Sequence, residues 1–296
     1  MSPALAHKPS PAIKAKPTIQ LGLPEFSRIK AAIAKDAGIE FSDDKVNLVH
    51  SRLQKRLKIL RLTAFRDYCN LIESDAGHDE RQFMLNALTT NVTRFFREPH
   101  HFKHLLKTAL PPLITRAKAG ERIRIWSGGC SSGQEPYSIA AVLMSLMPDA
   151  AKYDIKILAS DIDRNMILTG RRGIYEASLM AHMPVKLRDK FFEAFDGPSG
   201  PSYVAKDNIK SIISFRELNL NAQFWPMKGK FDIIFCRNTV IYFNQSTQEK
   251  VWTRFKDHMT PGSYLYIGHS ERISGPSIDE FTKADVTTYQ LKRISN

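Results

Sequence analysis

The stretch Ser127-Gly-Gly-Cys-Ser-Ser-Gly-Gln-Glu-Pro136 joins a short apolar run, Ile123 to Trp126, to a helical pattern that runs from Tyr137 to Met147. A glycine loop between a strand and a helix N-terminus is how doubly wound folds hold nucleotide-like ligands, because residues without a Cβ let the main chain approach closely. Pro136 suits a first helical turn. The spacing is not G-x-G-x-x-G, and Glu135 sits where a pyrophosphate would lie. An acid there repels phosphate and pairs with a cation or an amine. A tight strand–helix turn without a ligand would use the same glycines.

Asp161 follows Gly133 by 28 residues, at the end of a second apolar run, Ile155 to Ala159. An acid at that place binds ribose hydroxyls. Asp163 is assigned the N-cap of the next helix. In Phe231-Asp-Ile-Ile-Phe-Cys-Arg-Asn-Thr-Val-Ile-Tyr-Phe243, a nearly continuous apolar strand ends at Arg237 and Asn238, the carboxyl edge where open sheets bind ligands. Tyr242 can offer the ligand a ring and a hydroxyl, and Phe243 reads as a core aromatic. Asn91, Thr93, Arg94 and Arg97 lie among Phe95 and Phe96 in a connector that reads either as a cover for the site or as a capped turn docking two domains. His100, His101 and His104 lack a completing ligand set and read as a solvated helix face, with no metal. Cys130 and Cys236 read as packing residues rather than nucleophiles.

The elements that must hold these residues fall into two kinds. Between residues 25 and 85, Phe26, Ile29, Ile33 and Ala34, and then Val46, Val49, Leu53, Leu57 and Leu60, recur at helical steps. This predicts an all-helical domain, preceded by a Pro- and Lys-rich tail over 1–24 and followed by a connector over 86–104. The helix of Phe102, Leu105, Leu106 and Leu110 is expected to stop at Pro111-Pro112. From Arg122 onward strands and helices alternate, with later strands at Ile212 to Phe215, Phe231 to Cys236, Tyr264 to Ile267 and Thr287 to Leu291. That grammar implies a parallel sheet with helices on both faces over 105–296. The alternation lapses at about 174–210, around Gly197-Pro-Ser-Gly-Pro201, which marks a small insertion.

Composition bounds the class. The 296 residues carry 43 Lys+Arg against 30 Asp+Glu, a net charge of +13, so anionic partners are expected. The sequence shows neither a membrane-length apolar run nor a signal-peptide core, and its three cysteines are too few for a disulfide framework. A reduced, cytoplasmic protein is expected.

Taken together the motifs resemble the chemotaxis receptor methyltransferases, which use S-adenosylmethionine. The resemblance rests on Thr89-Thr-Asn-Val-Thr-Arg-Phe-Phe-Arg97, Trp126 to Ser138, Ala159-Ser-Asp-Ile-Asp163, Arg172-Gly-Ile-Tyr175, Asn219-Leu220, Phe231 to Asn238 with Ile241-Tyr-Phe243, and Gly268-His-Ser-Glu271. It spans about residues 25–292. It implies a Rossmann-like class I methyltransferase domain with a small antiparallel β-subdomain inserted, preceded by an all-helical N-terminal domain. It further implies methylation of glutamate side chains on the cytoplasmic helices of chemoreceptors, giving γ-glutamyl methyl esters. By motif match Asn91, Thr93, Arg97, Gly129, Glu135, Asp161, Asn219, Leu220, Arg237 and Asn238 line the cofactor site, with Arg97 and Tyr242 nearest the transferred methyl. Two positions depart from the family: Gln134 stands where Glu is usual, and the Gly197–Pro201 tip lacks a Glu-Gly pair associated with receptor-peptide tethering.

The chemistry is compatible. A sulfonium with an amino-acid tail and an adenosine carries no phosphate, so Glu135 can meet the ammonium and Asp161 the ribose. A glutamate acceptor, with a pKa of about 4.3, is already ionised. Catalysis then needs alignment and desolvation, with Arg97 holding the carboxylate. Arg52, Lys55, Arg56, Lys58 and Arg61 form an acid-free basic stretch suited to docking Glu-rich receptor helices. A monomer is expected. A nucleic-acid methyltransferase would share the fold but usually shows Asn/Asp-Pro-Pro-aromatic where Arg237-Asn238 stand. A non-catalytic adaptor would have no need of an intact Arg97 or Asp161.

Overall fold

The computed structural model describes residues 19–89 and 91–293. Most of the segment read as a tail lies outside the described residues, and the described part of it is folded. Ile19 and Leu21 pack on the helical core, and the first helix begins at Leu23.

Four helices build the first domain: α1 (Leu23–Ala37), α2 (Val46–Ile59), α3 (Phe65–Glu73) and α4 (His78–Leu88). Their apolar faces meet in one core, where Ile29, Ile33, Val49, Leu53 and Leu57 are wholly buried. Each such side chain contributes roughly 1.5–3 kcal/mol. Gly38 closes α1 at φ +71°, a left-handed cap whose N–H donates to Ala34 O. Arg52 and Arg56, expected on a receptor-facing surface, are half-buried and each is engaged within this domain. Arg52 Nη1 donates to the carbonyls of Leu88 and Thr89 at 2.9 and 2.8 Å, closing the end of α4. Arg56 grips buried Glu80 through Nε and Nη2 at 2.6–2.9 Å and lies over the Phe83 ring. An unpaired buried carboxylate is costly, so this arginine belongs to the core's polar lining. Lys55, Lys58 and Arg61 remain exposed.

The chain then forms α5 (Pro99–His104), one wide π-turn (Leu105–Ala109) and α6 (Leu110–Lys118). Pro111-Pro112, expected to stop a helix, instead sit in the first turn of α6, directly after the π-turn, and the helical run continues past them. Next come β1 (Ile123–Gly128), α7 (Gln134–Leu146), β2 (Ile155–Asp161) and α8 (Arg164–Arg172). The insertion holds β3 (Ile174–Glu176), α9 (Val185–Phe191), β4 (Phe192–Gly197), β5 (Gly200–Ala205) and α10 (Asp207–Lys210). The chain closes with β6 (Ile213–Glu217), β7 (Phe231–Cys236), α11 (Gln245–Asp257), β8 (Met259–Ile267), β9 (Phe281–Asp285) and β10 (Thr288–Leu291).

The large sheet runs β6-β2-β1-β7-β8-β10-β9, parallel through β8 and antiparallel beyond it, and β3-β5-β4 form a small antiparallel sheet. β7 is buried along its whole length, as its apolar run requires. The expected β-insertion is therefore present, and β9 is a strand the sequence pattern did not announce. After β1 the chain builds outward to β2 and β6, and it later returns to the other side of β1 with β7. The connections leaving β1 and β7 diverge, which opens a crevice at the carboxyl ends of these strands.

Candidate functional site

Packing dictates the glycine loop. Gly129 has φ +72°, and a Cβ there would stand 2.2 Å from Thr239 Oγ1. Its N–H and that of Cys130 donate to Ser160 O at 2.8 and 2.9 Å, tying the loop to β2. Gly133, at φ +97°, has the Tyr175 hydroxyl 2.9 Å from where a Cβ would be, and it starts α7. Glu135 in the first turn of α7 is nearly buried; it accepts from Ser127 Oγ and from Arg237 Nε, both at 2.7 Å. The acid at the helix N-terminus thus has a built-in cationic partner.

Asp161 ends β2. One oxygen accepts from Ser131 N at 2.7 Å and the other from Asp163 N at 2.9 Å. Each oxygen retains a further acceptor direction. Burial lifts its carboxyl to about 6, against the pull of these backbone N–H groups. Asp163 caps α8 as expected, accepting from Asn165 N at 2.8 Å, and it receives the Asn91 amide at 3.0 Å.

At the end of β7 the chain turns sharply through Asn238, a non-glycine residue at φ +57°. Glu271 braces this turn. Its buried carboxylate accepts the backbone N–H groups of Asn238, Thr239, Val240 and Gly268 at 2.5–3.0 Å. The side-chain Oδ1 of Asn238 is buried with no hydrogen-bond partner among the described residues.

The connector supplies the opposite wall. Phe95 is fully buried and anchors it. Arg97 stands between Phe96 (φ 52°) and Glu98 (φ 57°), and its Nη1 donates to Val92 O at 3.0 Å. Arg94 is exposed and lies outside the cleft. The helical domain closes a third side: Ile39 bridges Phe243, Glu40 N donates to Tyr242 O at 3.0 Å, and Asn219 Nδ2 donates to Asp36 O at 2.7 Å.

A cleft open to solvent results. Asn91, Thr93, Arg97, Gly129, Glu135, Asp161, Asn219, Leu220, Arg237, Asn238 and Tyr242 all line it. Sequence reasoning missed the helical-domain lining, Ala37, Ile39 and Thr89, and also Ser131, Leu218 and Thr239. Phe243 is part of the wall as well as of the core. Glu271 lay within a motif, Gly268-His-Ser-Glu271, that could have flagged it. The histidines are not a solvated face. His101 is wholly buried against Arg237 and Thr287, and His104 Nδ1 lies 2.8 Å from the Tyr266 hydroxyl. Glu98, His100 and His101 cluster at metal-ligand spacing, but the Arg237 guanidinium already stands 3.2 Å from His101 and 3.7 Å from Glu98. Cys130 and Cys236 are buried, and burial raises both thiols well above their ordinary pKa.

The strand order, with a switch-point cleft bearing carboxylates rather than a phosphate clamp, defines a Rossmann-like methyltransferase. The family described as "CheR methyltransferase, all-alpha domain" matches residues 24–89, and "CheR methyltransferase, SAM binding domain" matches residues 91–290. A probable chemotaxis protein methyltransferase of Rhizobium etli is 49% identical over 258 residues, covering 87% of this chain and 96% of its own. The chemotaxis protein methyltransferase of Escherichia coli is 38% identical over 268 residues, covering 90% and 91%. The chain belongs to the CheR methyltransferase family, and S-adenosylmethionine is its methyl donor. The cleft fits that cation. Glu135, Asp161 and Asn238 Oδ1 offer acceptors, and of the two arginines in the lining, Arg237 is neutralised by Glu135. Among the described residues, no helix is long and apolar enough to cross a membrane.

Proposed function

We propose that the acceptor is the side-chain carboxylate of glutamates on the cytoplasmic helices of chemoreceptors, and that the product is the γ-glutamyl methyl ester. The observation that carries this reading is Arg97. It lines the cleft, and among the described residues no carboxylate pairs with it, whereas neighbouring Arg237 is tied to Glu135. An arginine in that state is suited to receive an incoming carboxylate through its remaining N–H donors.

When bound, S-adenosylmethionine supplies a methyl group activated by its sulfonium. Asp161 would hold the ribose hydroxyls. Glu135 and Asn238 would take the amino-acid ammonium, while Asn91, Thr93, Asn219 and Leu220 complete the walls. The acceptor needs no base, because a glutamate of pKa about 4.3 is ionised at neutral pH. Arg97 orients it, and Tyr242 with the connector excludes water. Orientation and desolvation supply the rate, the former worth up to about 7–11 kcal/mol when reactants are aligned. Lys55, Lys58 and Arg61, exposed beside and beyond the end of α2, would meet acidic receptor helices and raise the encounter rate. The protein acts in the cytoplasm, as a monomer recruited to receptor arrays.

The test incubates the protein with methyl-labelled S-adenosylmethionine and either a receptor cytoplasmic fragment or RNA, followed by mild base. Receptor label released as methanol is expected. Base-stable label on RNA, or an unlabelled receptor, would overturn the assignment.

A further inference from the structure

Phe96 and Glu98 hold left-handed backbone on either side of Arg97. Such backbone persists only where its surroundings fix it. Arg237 is part of that fixing: its Nη1 donates to the Arg97 carbonyl. The same guanidinium sends Nε to Glu135 at 2.7 Å and reaches to 3.7 Å from Glu98 Oε2. One neutral ring also touches it, His101, whose Nδ1 stands 3.2 Å from Nη1.

Glu98 Oε2 also lies 3.4 Å from Nδ1, but without hydrogen-bond geometry, whereas the guanidinium N–H meets that nitrogen within it. A guanidinium can only donate, so the contact assigns His101 Nδ1 as the bare nitrogen. The ring proton therefore sits on Nε2, which donates to Thr287 Oγ1 at 2.8 Å. Thr287 is itself buried, at φ 46° in the turn between β9 and β10, and its carbonyl accepts from Ile267 N at 3.0 Å. Burial, and then the adjacent guanidinium, hold the imidazole down at about 2, so it stays neutral across the working range.

We propose that His101 is a positioning residue for methyl transfer. As its Nε2–H tautomer it pins Arg237 to the β9–β10 turn, and Arg237 then fixes the main chain of Arg97 and the carboxylate of Glu135. His101 reaches the reaction only through Arg237. The inference rests on the reading above in giving Arg97 the acceptor.

His101→Phe keeps a buried ring and removes both nitrogens. His101→Asn retains an acceptor near the Nδ1 position. In receptor methylation assays His101→Phe should lower kcat roughly 10- to 100-fold, the range for a small misplacement of reacting groups, with little change in KM for receptor. His101→Asn should recover most of kcat, and Thr287→Val should lower it. An unchanged kcat in folded His101→Phe would overturn the proposal, as would equal losses in the Phe and Asn variants, since those would leave packing alone. If the variants do not fold, imidazole nitrogen-15 shifts of the unsubstituted protein decide. A bare Nδ1 supports the network and a protonated Nδ1 overturns it. An inactive unsubstituted protein would count against the glutamate acceptor, not against this network, because the tautomer is read without turnover.

Discussion

Gly129→Ala separates the two demands made on the glycine loop. The residue is left-handed at φ +72°, which costs an alanine roughly 1–2 kcal/mol. Its new Cβ would also stand 2.2 Å from Thr239 Oγ1 and 2.8 Å from Thr239 Cγ2. Thr239 cannot simply withdraw, because its N–H is held by Glu271 at 2.9 Å. Overpacking of this kind costs about 1–3 kcal/mol. Thr239→Ala deletes both of these atoms, keeps only the Cβ at 3.0 Å, and leaves the backbone strain. In that background Gly129→Ala should therefore cost little more than the roughly 1–2 kcal/mol of the dihedral. The difference between backgrounds, about 1–3 kcal/mol, is the steric coupling. Urea unfolding of the four proteins measures it. Titration with S-adenosylhomocysteine shows how much of it falls on the cleft, where the full coupling would weaken binding by about 5- to 150-fold. A Gly129→Ala cost that is the same in both backgrounds would refute the packing argument and leave only the dihedral.

Asp161 gives a pH signature. Its folded-state carboxyl titrates near 6, above its ordinary value of 3.8, so it favours folding below the unfolded pKa and loses that contribution as pH rises through about 6. Hydroxyl donors prefer the ionised form, so S-adenosylhomocysteine affinity should fall as pH drops below about 6, and Asp161→Asn should flatten that dependence; calorimetric titration from pH 5 to 8 checks both. Glu80→Gln strands the largely buried Arg56 and should destabilise the helical domain by about 3–5 kcal/mol in thermal or urea unfolding. Arg97→Ala should depress kcat far more than cofactor affinity, and equal losses in the two would sink its role with the acceptor. Joint reversal of Lys55, Lys58 and Arg61 to Glu should raise KM for receptor, more so at low salt, and leave S-adenosylhomocysteine binding unchanged.

What could be read from the sequence was what short spacing encodes. The run Phe231 to Cys236 emerged as a fully buried strand because every position is apolar except Asp232, whose carboxylate is met by Arg116 Nη1 and Arg124 N, both at 2.8 Å. The glycine loop and the Asp161/Asp163 pair were legible because strand ends and helix caps use fixed local chemistry. Partners far along the chain were not. The basic stretch of α2 looked like one surface, yet Glu80 claims Arg56 from 24 residues away. His101 looked solvated because its partners, Thr287 and Arg237, are 186 and 136 residues distant. β9 escaped because only Phe281 is buried in it, so a short edge strand leaves no alternation to detect. The contribution of Ala37 and Ile39 to the cleft depends on how the two domains dock, which no local pattern reports.

That shared wall has a thermodynamic consequence. Ala37, Ile39 and Thr89 belong to the helical domain, yet they face the same cleft as Asp161 and Asn238. A ligand that contacts both sides binds the docked arrangement and not the separated one, so its free energy is added to the cohesion between the domains. Linkage makes the effect mutual: docking raises the affinity of such a ligand by the same factor by which the ligand strengthens docking, so loosening the Asn219–Asp36 and Glu40–Tyr242 contacts enough to populate the undocked state weakens its binding. For a ligand that spans both walls, the helical domain is then a reporter of occupancy, held most firmly when the cleft is filled.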